Sequence, residues 1–145
     1  MEIDTACFAE GIAYSAEEMR YFLRQPSSIK LVGKTKDGDK NDNELAIQGF
    51  IIADHFRPRR SQQRMGRIIT IDVLPEARRS GLGSLLLNAS EAELKNLGCG
   101  HVSLETAVDN LAAMRFYKKH GYTGLQILPR YYLNSIDALL MGKKL

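Results

Sequence analysis

The sequence predicts an α/β protein, with helices and strands alternating along one chain and folding as a mixed sandwich around a single sheet. Three observations carry this. Short β-branched runs such as Ile68-Ile69-Thr70-Ile71 are separated by longer segments with helical apolar spacing. Glycine and proline mark the changes between them, as at Pro26, Pro75, Gly98 and Gly121. The 145 residues suit one domain, residues 1–145, long enough to build a real core.

Ile3 to Arg24 reads as helix in two pieces split near Gly11. Ser15-x-x-Glu18 is a capping box for the second piece, whose apolar face is Met19, Phe22 and Leu23. Pro26 ends it. Ile29 to Lys34 is a short strand, Lys36 to Glu44 a polar turn, and Leu45 to Ala53 the returning strand of a hairpin. His55 to Arg67 carries Arg57, Arg59, Arg60, Arg64 and Arg67 and reads as a loop: either a solvated connection or a rim that attracts phosphates or an acidic acceptor. A central strand through Val73 follows, and then a helix in which Leu82, Leu85, Leu86 and Ala89 share one face, with Gly98 as its stop. His101 to Thr106 alternates like a strand. Asn110 opens a helix whose Ala113, Phe116, Tyr117 and His120 share a face, and Gly121 closes it. Thr123–Leu128 and Ile136–Lys143 are the last strands, joined by a loop over 129–135.

Composition excludes several classes. The 44% hydrophobic and 26% charged content is that of an ordinary soluble globule, and no apolar run approaches membrane-spanning length. Glu2, Asp4 and Glu10 are out of place in a signal peptide, so the cytoplasm is the default, without a membrane partner. A net charge of +3 is too small to argue for DNA or RNA, and the arginine loop lacks interleaved aromatics. Cys7 and Cys99 give no disulfide framework and no metal-ligand spacing with His55, His101 or His120; both read as small buried residues, and no metal is expected.

The stretch from Arg67 to Gly98 carries the chemistry. Gly81 and Gly83 allow backbone conformations that a Cβ would forbid, so successive N–H groups of Arg79, Ser80, Gly81, Leu82, Gly83 and Ser84 can turn toward one anion. The helix that starts there adds its own N–H groups and positive dipole end, and Arg78 and Arg79 add full charge. The same glycines would also suit an ordinary α/β turn. The arrangement as a whole is more specific. Arg78-x-x-Gly81-x-Gly83, behind a strand ending Asp72-Val73-Leu74-Pro75, resembles the acetyl-coenzyme A signature of the GNAT N-acetyltransferase superfamily. It has neither the Gly-Lys-Ser/Thr ending of a nucleotide P-loop nor the G-x-G-x-x-G of a dinucleotide fold.

A second segment, Leu104-Glu105-Thr106 through Asn110 to Tyr117-Lys118-Lys119-His120-Gly121-Tyr122, resembles the other GNAT signature, and in particular the RimI-type branch that acetylates protein N-termini. Tyr117 follows Glu105 by twelve residues, the interval of that branch's strand Glu and helix Tyr. Tyr131-Tyr132 followed by Asp137-Ala138-Leu139-Leu140-Met141 also resembles it. The resemblance implies a mixed central sheet with splayed parallel strands flanked by helices. It implies acetyl-CoA as cosubstrate, with the backbone of Ile71, Asp72 and Val73 on its amide-bearing arm and the glycine loop on its pyrophosphate. By position, Glu105 would draw a proton from the acceptor amine and Tyr117 would protonate the departing thiolate, while Asn110 would touch the cofactor arm. Tyr131 and Tyr132 would line the acceptor groove, and the Val73 N–H would meet the developing oxyanion. Simpler roles stand beside these: core packing for Tyr117, a strand-end surface position for Glu105, an N-cap for Asn110, and loop aromatics covering a sheet edge for the tyrosine pair.

Two features depart from the family. The chain is expected to begin inside or just before the first helix, either with a truncated start or with a fold that lacks the strand with which the family normally starts, and Asp72 puts a carboxylate in the central strand. The reading that follows is an acetyl-CoA-dependent N-acetyltransferase. Its acceptor is a protein or peptide N-terminus, attacked directly in a ternary complex, with a ribosome or partner subunit left open. The alternatives are a GNAT enzyme acting on a small amine or internal lysine, and a silent acetyl-CoA-binding module.

Overall fold

The computed structural model describes residues 14–36, 45–132 and 135–145. Helix α1 (Ala16–Arg24) is capped as its sequence predicts. The Glu18 N–H donates to Ser15 Oγ at 3.2 Å, and the Ser15 N–H donates back to Glu18 Oε2 at 2.8 Å. Met19 is its buried anchor, whereas Leu23, expected on the same face, is exposed. The earlier helical piece with Cys7, any strand preceding it, the polar turn 37–44 and residues 133–134 lie outside the described residues.

Strands β1 (Ile29–Lys36), β2 (Leu45–Phe56) and β3 (Arg64–Val73) form an antiparallel meander. The arginine segment is therefore shorter as a loop than its composition suggests: Arg64 and Arg67 belong to β3. They fit a strand along which burial alternates, with Gly66, Ile68, Thr70 and Asp72 buried between partly exposed neighbours, while the register shift opposite Ile52 and Ala53 moves Thr70 and Asp72 to the other face from Gly66 and Ile68. A short 3₁₀ turn (Pro75–Ala77) leads to helix α2 (Leu82–Asn96), after which β4 (Cys99–Ala107) returns parallel to β3. Helix α3 (Leu111–Lys119) leads to β5 (Thr123–Tyr132) and β6 (Ile136–Lys144). The sheet order is β1-β2-β3-β4-β6-β5, so β6 inserts between β4 and β5.

Helix α2 packs across β1 to β4, so tightly at Gly66 that a Cβ there would come within 2.7 Å of Leu94. Its buried stripe is Leu86, Leu87, Ser90, Glu91 and Leu94; Leu85 and Ala89, expected inside, face outward. The phase differs because the core accepts a carboxylate. Glu91 is satisfied by the Tyr122 hydroxyl at 2.8 Å and by Lys143 Nζ at 2.7 Å, so polar residues occupy positions that an apolar pattern would assign elsewhere. Ile51, Ala53, Ile68, Leu86, Leu87, Leu94, Val102, Leu104 and Met141 complete the core. Each large aliphatic among them contributes about 1.5–3 kcal/mol by burial.

Strand β5 also runs further than expected, through Pro129 to Tyr132. As an edge strand it tolerates the missing proline N–H, and its pairing with β6 is irregular between Leu128 and Tyr132, where Arg130 takes φ 52°.

Candidate acetyl-transfer site

The site begins where two parallel strands part. Paired residues of β3 and β4 run from Arg64/Cys99 to Arg67/Ser103, and beyond them the strands diverge. The Leu74 N–H donates to the Gln48 carbonyl at 2.8 Å, which fixes the antiparallel alternation of β3 against β2. Ile71 and Val73 consequently direct their backbone groups away from β2 and into the gap, while Asp72 directs its own toward Phe50. On the far side, the Val108 N–H donates to Asp137 O and the Leu145 N–H to Gly100 O, which turns the backbone of Glu105 and Ala107 into the same gap. An extended amide-bearing arm laid there would meet strand-like donors and acceptors from both sides.

One end of the gap is made of backbone. Gly81 (φ 85°) is the N-cap of α2 and offers no side-chain cap, and Arg79 before it also takes a left-handed conformation (φ 60°). The first intrahelical bond runs from the Leu85 N–H to Gly81 O at 3.0 Å, so Leu82, Gly83 and Ser84 carry the N–H groups that no intrahelical carbonyl takes up. A cradle of this kind fits a phosphate ester. Arg78 Nε donates to Val73 O at 3.1 Å, which holds this exposed cation at the gap's edge, and Ser80 Oγ donates to Ala77 O at 2.6 Å, bracing the turn. Asn110 caps α3, its Oδ1 accepting from the Ala113 N–H at 3.1 Å.

The other end is made of side chains. Arg67 Nε and Nη2 both reach Glu105 Oε2, at 3.2 and 3.1 Å, and Nη2 also donates to the Tyr131 hydroxyl at 3.3 Å. The rings of Tyr131 and Tyr132 meet edge to face at 4.9 Å. The Tyr14 hydroxyl donates to Ile69 O at 3.3 Å, where the β2–β3 register shifts, and burial pushes its pKa up to about 12. Burial likewise raises the Tyr132 hydroxyl, helped by the neighbouring Tyr131, Tyr14 and Glu105. Tyr117 belongs to the core, with its ring against Phe116 and Tyr122. Burial, with Asp72 and Tyr132 nearby, holds its hydroxyl well above the ordinary phenol range. Tyr132 is thus the side chain that neighbours both the Glu105 cluster and Tyr117. Asp72 is buried and accepts from Thr70 Oγ1 at 2.9 Å; the register shift between Ile52 and Ala53 puts it on the same strand face as Arg67, where it neighbours the Tyr117 hydroxyl.

The Acetyltransferase (GNAT) family matches residues 1–122. The chain belongs to this acetyltransferase family. Among its GNAT relatives is N-alpha-acetyltransferase 30 of Schizosaccharomyces pombe, 36% identical over 125 residues that cover 86% of this chain and 77% of the relative. The crystal structure of the NatC complex bound to Gag peptide and CoA contains a chain that superposes with a TM-score of 0.81 at 26% identity, covering 99% of this chain and 87% of that one. The ribosomal-protein-S18-alanine N-acetyltransferase of Escherichia coli shares the fold, with a TM-score of 0.75 at 22% identity over 99% of this chain and 83% of the other. Two residues of this side-chain cluster carry no assignment in the sequence reading. Arg67 was counted with the basic loop, although a lone charge between Gly66 and Ile68 at the head of a β-branched strand is a local anomaly. Tyr14 gave no signal beyond its place just before a helix cap. Among the described residues, no helix is long and apolar enough to cross a membrane.

Proposed function

We propose that this chain is an acetyl-CoA-dependent N-α-acetyltransferase that modifies protein N-termini by direct attack in a ternary complex. The observation that carries the reading is the parting of β3 and β4 beyond Arg67 and Ser103, with an anion cradle at one end and a carboxylate–tyrosine cluster at the other. The likeness to N-alpha-acetyltransferase 30 and to the peptide- and CoA-bound NatC chain supports the choice of acceptor.

Acetyl-CoA supplies an acetyl group activated as a thioester. The backbone of Ile71 and Val73 holds its amide-bearing arm, and the N–H groups of Leu82, Gly83 and Ser84 hold its pyrophosphate. Glu105 accepts the proton that the amine loses, directly or through water. An α-amine with a pKa of about 8, against about 10.4 for lysine, needs only a weak base for this at neutral pH. The amine nitrogen forms the C–N bond, the C–S bond breaks, and the proton lost by the amine balances the thiol that leaves. Val73 N–H is the donor assigned to the carbonyl oxygen as it gathers charge. Tyr117 donates a hydrogen bond to the departing sulfur. Complete transfer from so raised a phenol to a thiolate, whose thiol has a pKa of about 8.5, is uphill, so the hydrogen bond precedes any proton movement. Tyr131 and Tyr132 line the groove for the peptide. Cys99, buried at the start of β4, takes no part, in keeping with a route that has no acyl-enzyme.

We take residues 1–145 as one domain working in the cytoplasm, with delivery of the acceptor by a ribosome or partner subunit as the finer part of the reading. The test is to follow thiol release with acetyl-CoA and peptides whose α-amine is free or blocked. Turnover that requires the free α-amine supports the proposal. Turnover of polyamines or internal lysines in preference to every N-terminal peptide overturns it.

A further inference from the structure

Arg67 has no part in the steps above, yet its guanidinium spans the mouth of the gap and ties β3 to Glu105 on β4 and Tyr131 on β5. The groups that face it are Glu105, Tyr131 and Tyr14; Tyr132 neighbours the same cluster, and Glu18 of α1 stands behind Tyr14. Of these, Glu105 is the carboxylate in direct contact, its side chain 16% exposed against 39% for Arg67.

The chemistry of an amine acceptor makes this pairing consequential. A partly buried carboxylate standing alone would attract the acceptor as an ammonium ion and raise its pKa by about 1–3 units. That strengthens binding and slows transfer, because the nitrogen lone pair stays protonated. Resting on the N-acetyltransferase reading, we propose that Arg67 is a positioning residue that neutralises Glu105, so that the acceptor amine is held uncharged and ready to attack. The guanidinium suits the task because Nε and Nη2 chelate one oxygen, Oε2, leaving Oε1 to meet the amine or its relay water. Its third contact makes the Tyr131 oxygen an acceptor, so that the O–H is turned to donate toward a peptide carbonyl.

The experiment compares wild type, Arg67→Gln and Arg67→Lys with one N-terminal peptide, measuring single-turnover acetyl transfer and peptide affinity from neutral to alkaline pH. Circular dichroism of each variant checks the fold. The rate at saturating peptide reports ionisation in the ternary complex, while the rate divided by the half-saturation concentration reports the free species. In Arg67→Gln the saturated rate is expected to fall about tenfold at neutral pH and to recover at alkaline pH, its inflection moved up by about one unit, while peptide binding holds or tightens. Arg67→Lys, which keeps the charge, should retain the wild-type inflection. Equal loss at every pH with an unmoved inflection in Arg67→Gln would reduce Arg67 to a strut and overturn the proposal. Failure of the wild type itself to acetylate any N-terminal peptide would instead sink the reading of the reaction, before the variants are compared.

Discussion

The two ends of the gap are built from different materials. The end we assign to the cofactor is backbone, drawn from consecutive residues: the turn from Arg78 to Ser84, two left-handed residues and an uncapped helix start. The end we assign to the acceptor is side chains, drawn from Tyr14, Arg67, Glu105, Tyr131 and Tyr132 on four separate segments. The difference has a chemical reason. A pyrophosphate is the same in every reaction and is met by generic N–H groups, whereas the amine acceptor has to be oriented, deprotonated and selected, which takes placed side chains.

Four substitutions test that division. Tyr117→Phe should have the largest effect, because it keeps the ring against Phe116 and Tyr122 and removes only the hydroxyl. A loss of turnover of about 100-fold or more, with an unchanged melting temperature, is expected in thiol-release and thermal-melt assays. Unchanged turnover would leave Tyr117 as core alone. Gly81→Ala comes next. Its Cβ meets nothing within 4 Å, so the cost is purely conformational, about 1–2 kcal/mol for a left-handed residue. The KM for acetyl-CoA should rise several-fold, about 3- to 10-fold, while the peptide KM holds; if both rise together, the two ends are not separable.

Tyr131→Phe should do the reverse, weakening the peptide by about 2- to 10-fold through one lost hydrogen bond and leaving acetyl-CoA alone. The smallest effect is that of Tyr14→Phe, which is visible only in alkali. Burial raises the Tyr14 pKa from 10.0 to about 12, so the folded state keeps a proton that the unfolded chain releases. The associated stability is complete below pH 10.0 and is lost as pH rises toward about 12. Thermal melts of Tyr14→Phe should therefore fall less steeply over that window than those of wild type.

How much of this was legible beforehand depended on how local each feature is. The capping box at Ser15 and Glu18, the stops at Gly98 and Gly121, and the glycine turn at 81 are decided within a few residues, and the sequence reading of them agrees with the structure. The face of α2 was misphased because Glu91 looks like a surface residue until Tyr122 and Lys143, distant in sequence, satisfy it. The end of β5 was missed because proline argues against a strand, and only its position at the sheet edge makes Pro129 harmless.

By itself, the sequence determined the alternation of elements, the family and the backbone cradle, since local backbone preferences and short motifs need no long-range partner. Only the tertiary structure joined Arg67 and Tyr14 to the cluster of Glu105, Tyr131 and Tyr132. Arg67 and Tyr131 stand 64 positions apart, and they meet because β3 and β4 part after a few pairs while β6 inserts beside β4 and carries β5 to the rim. Strand order places a charge next to its partner, and strand order follows from which faces bury together, a property that no single stretch of residues contains.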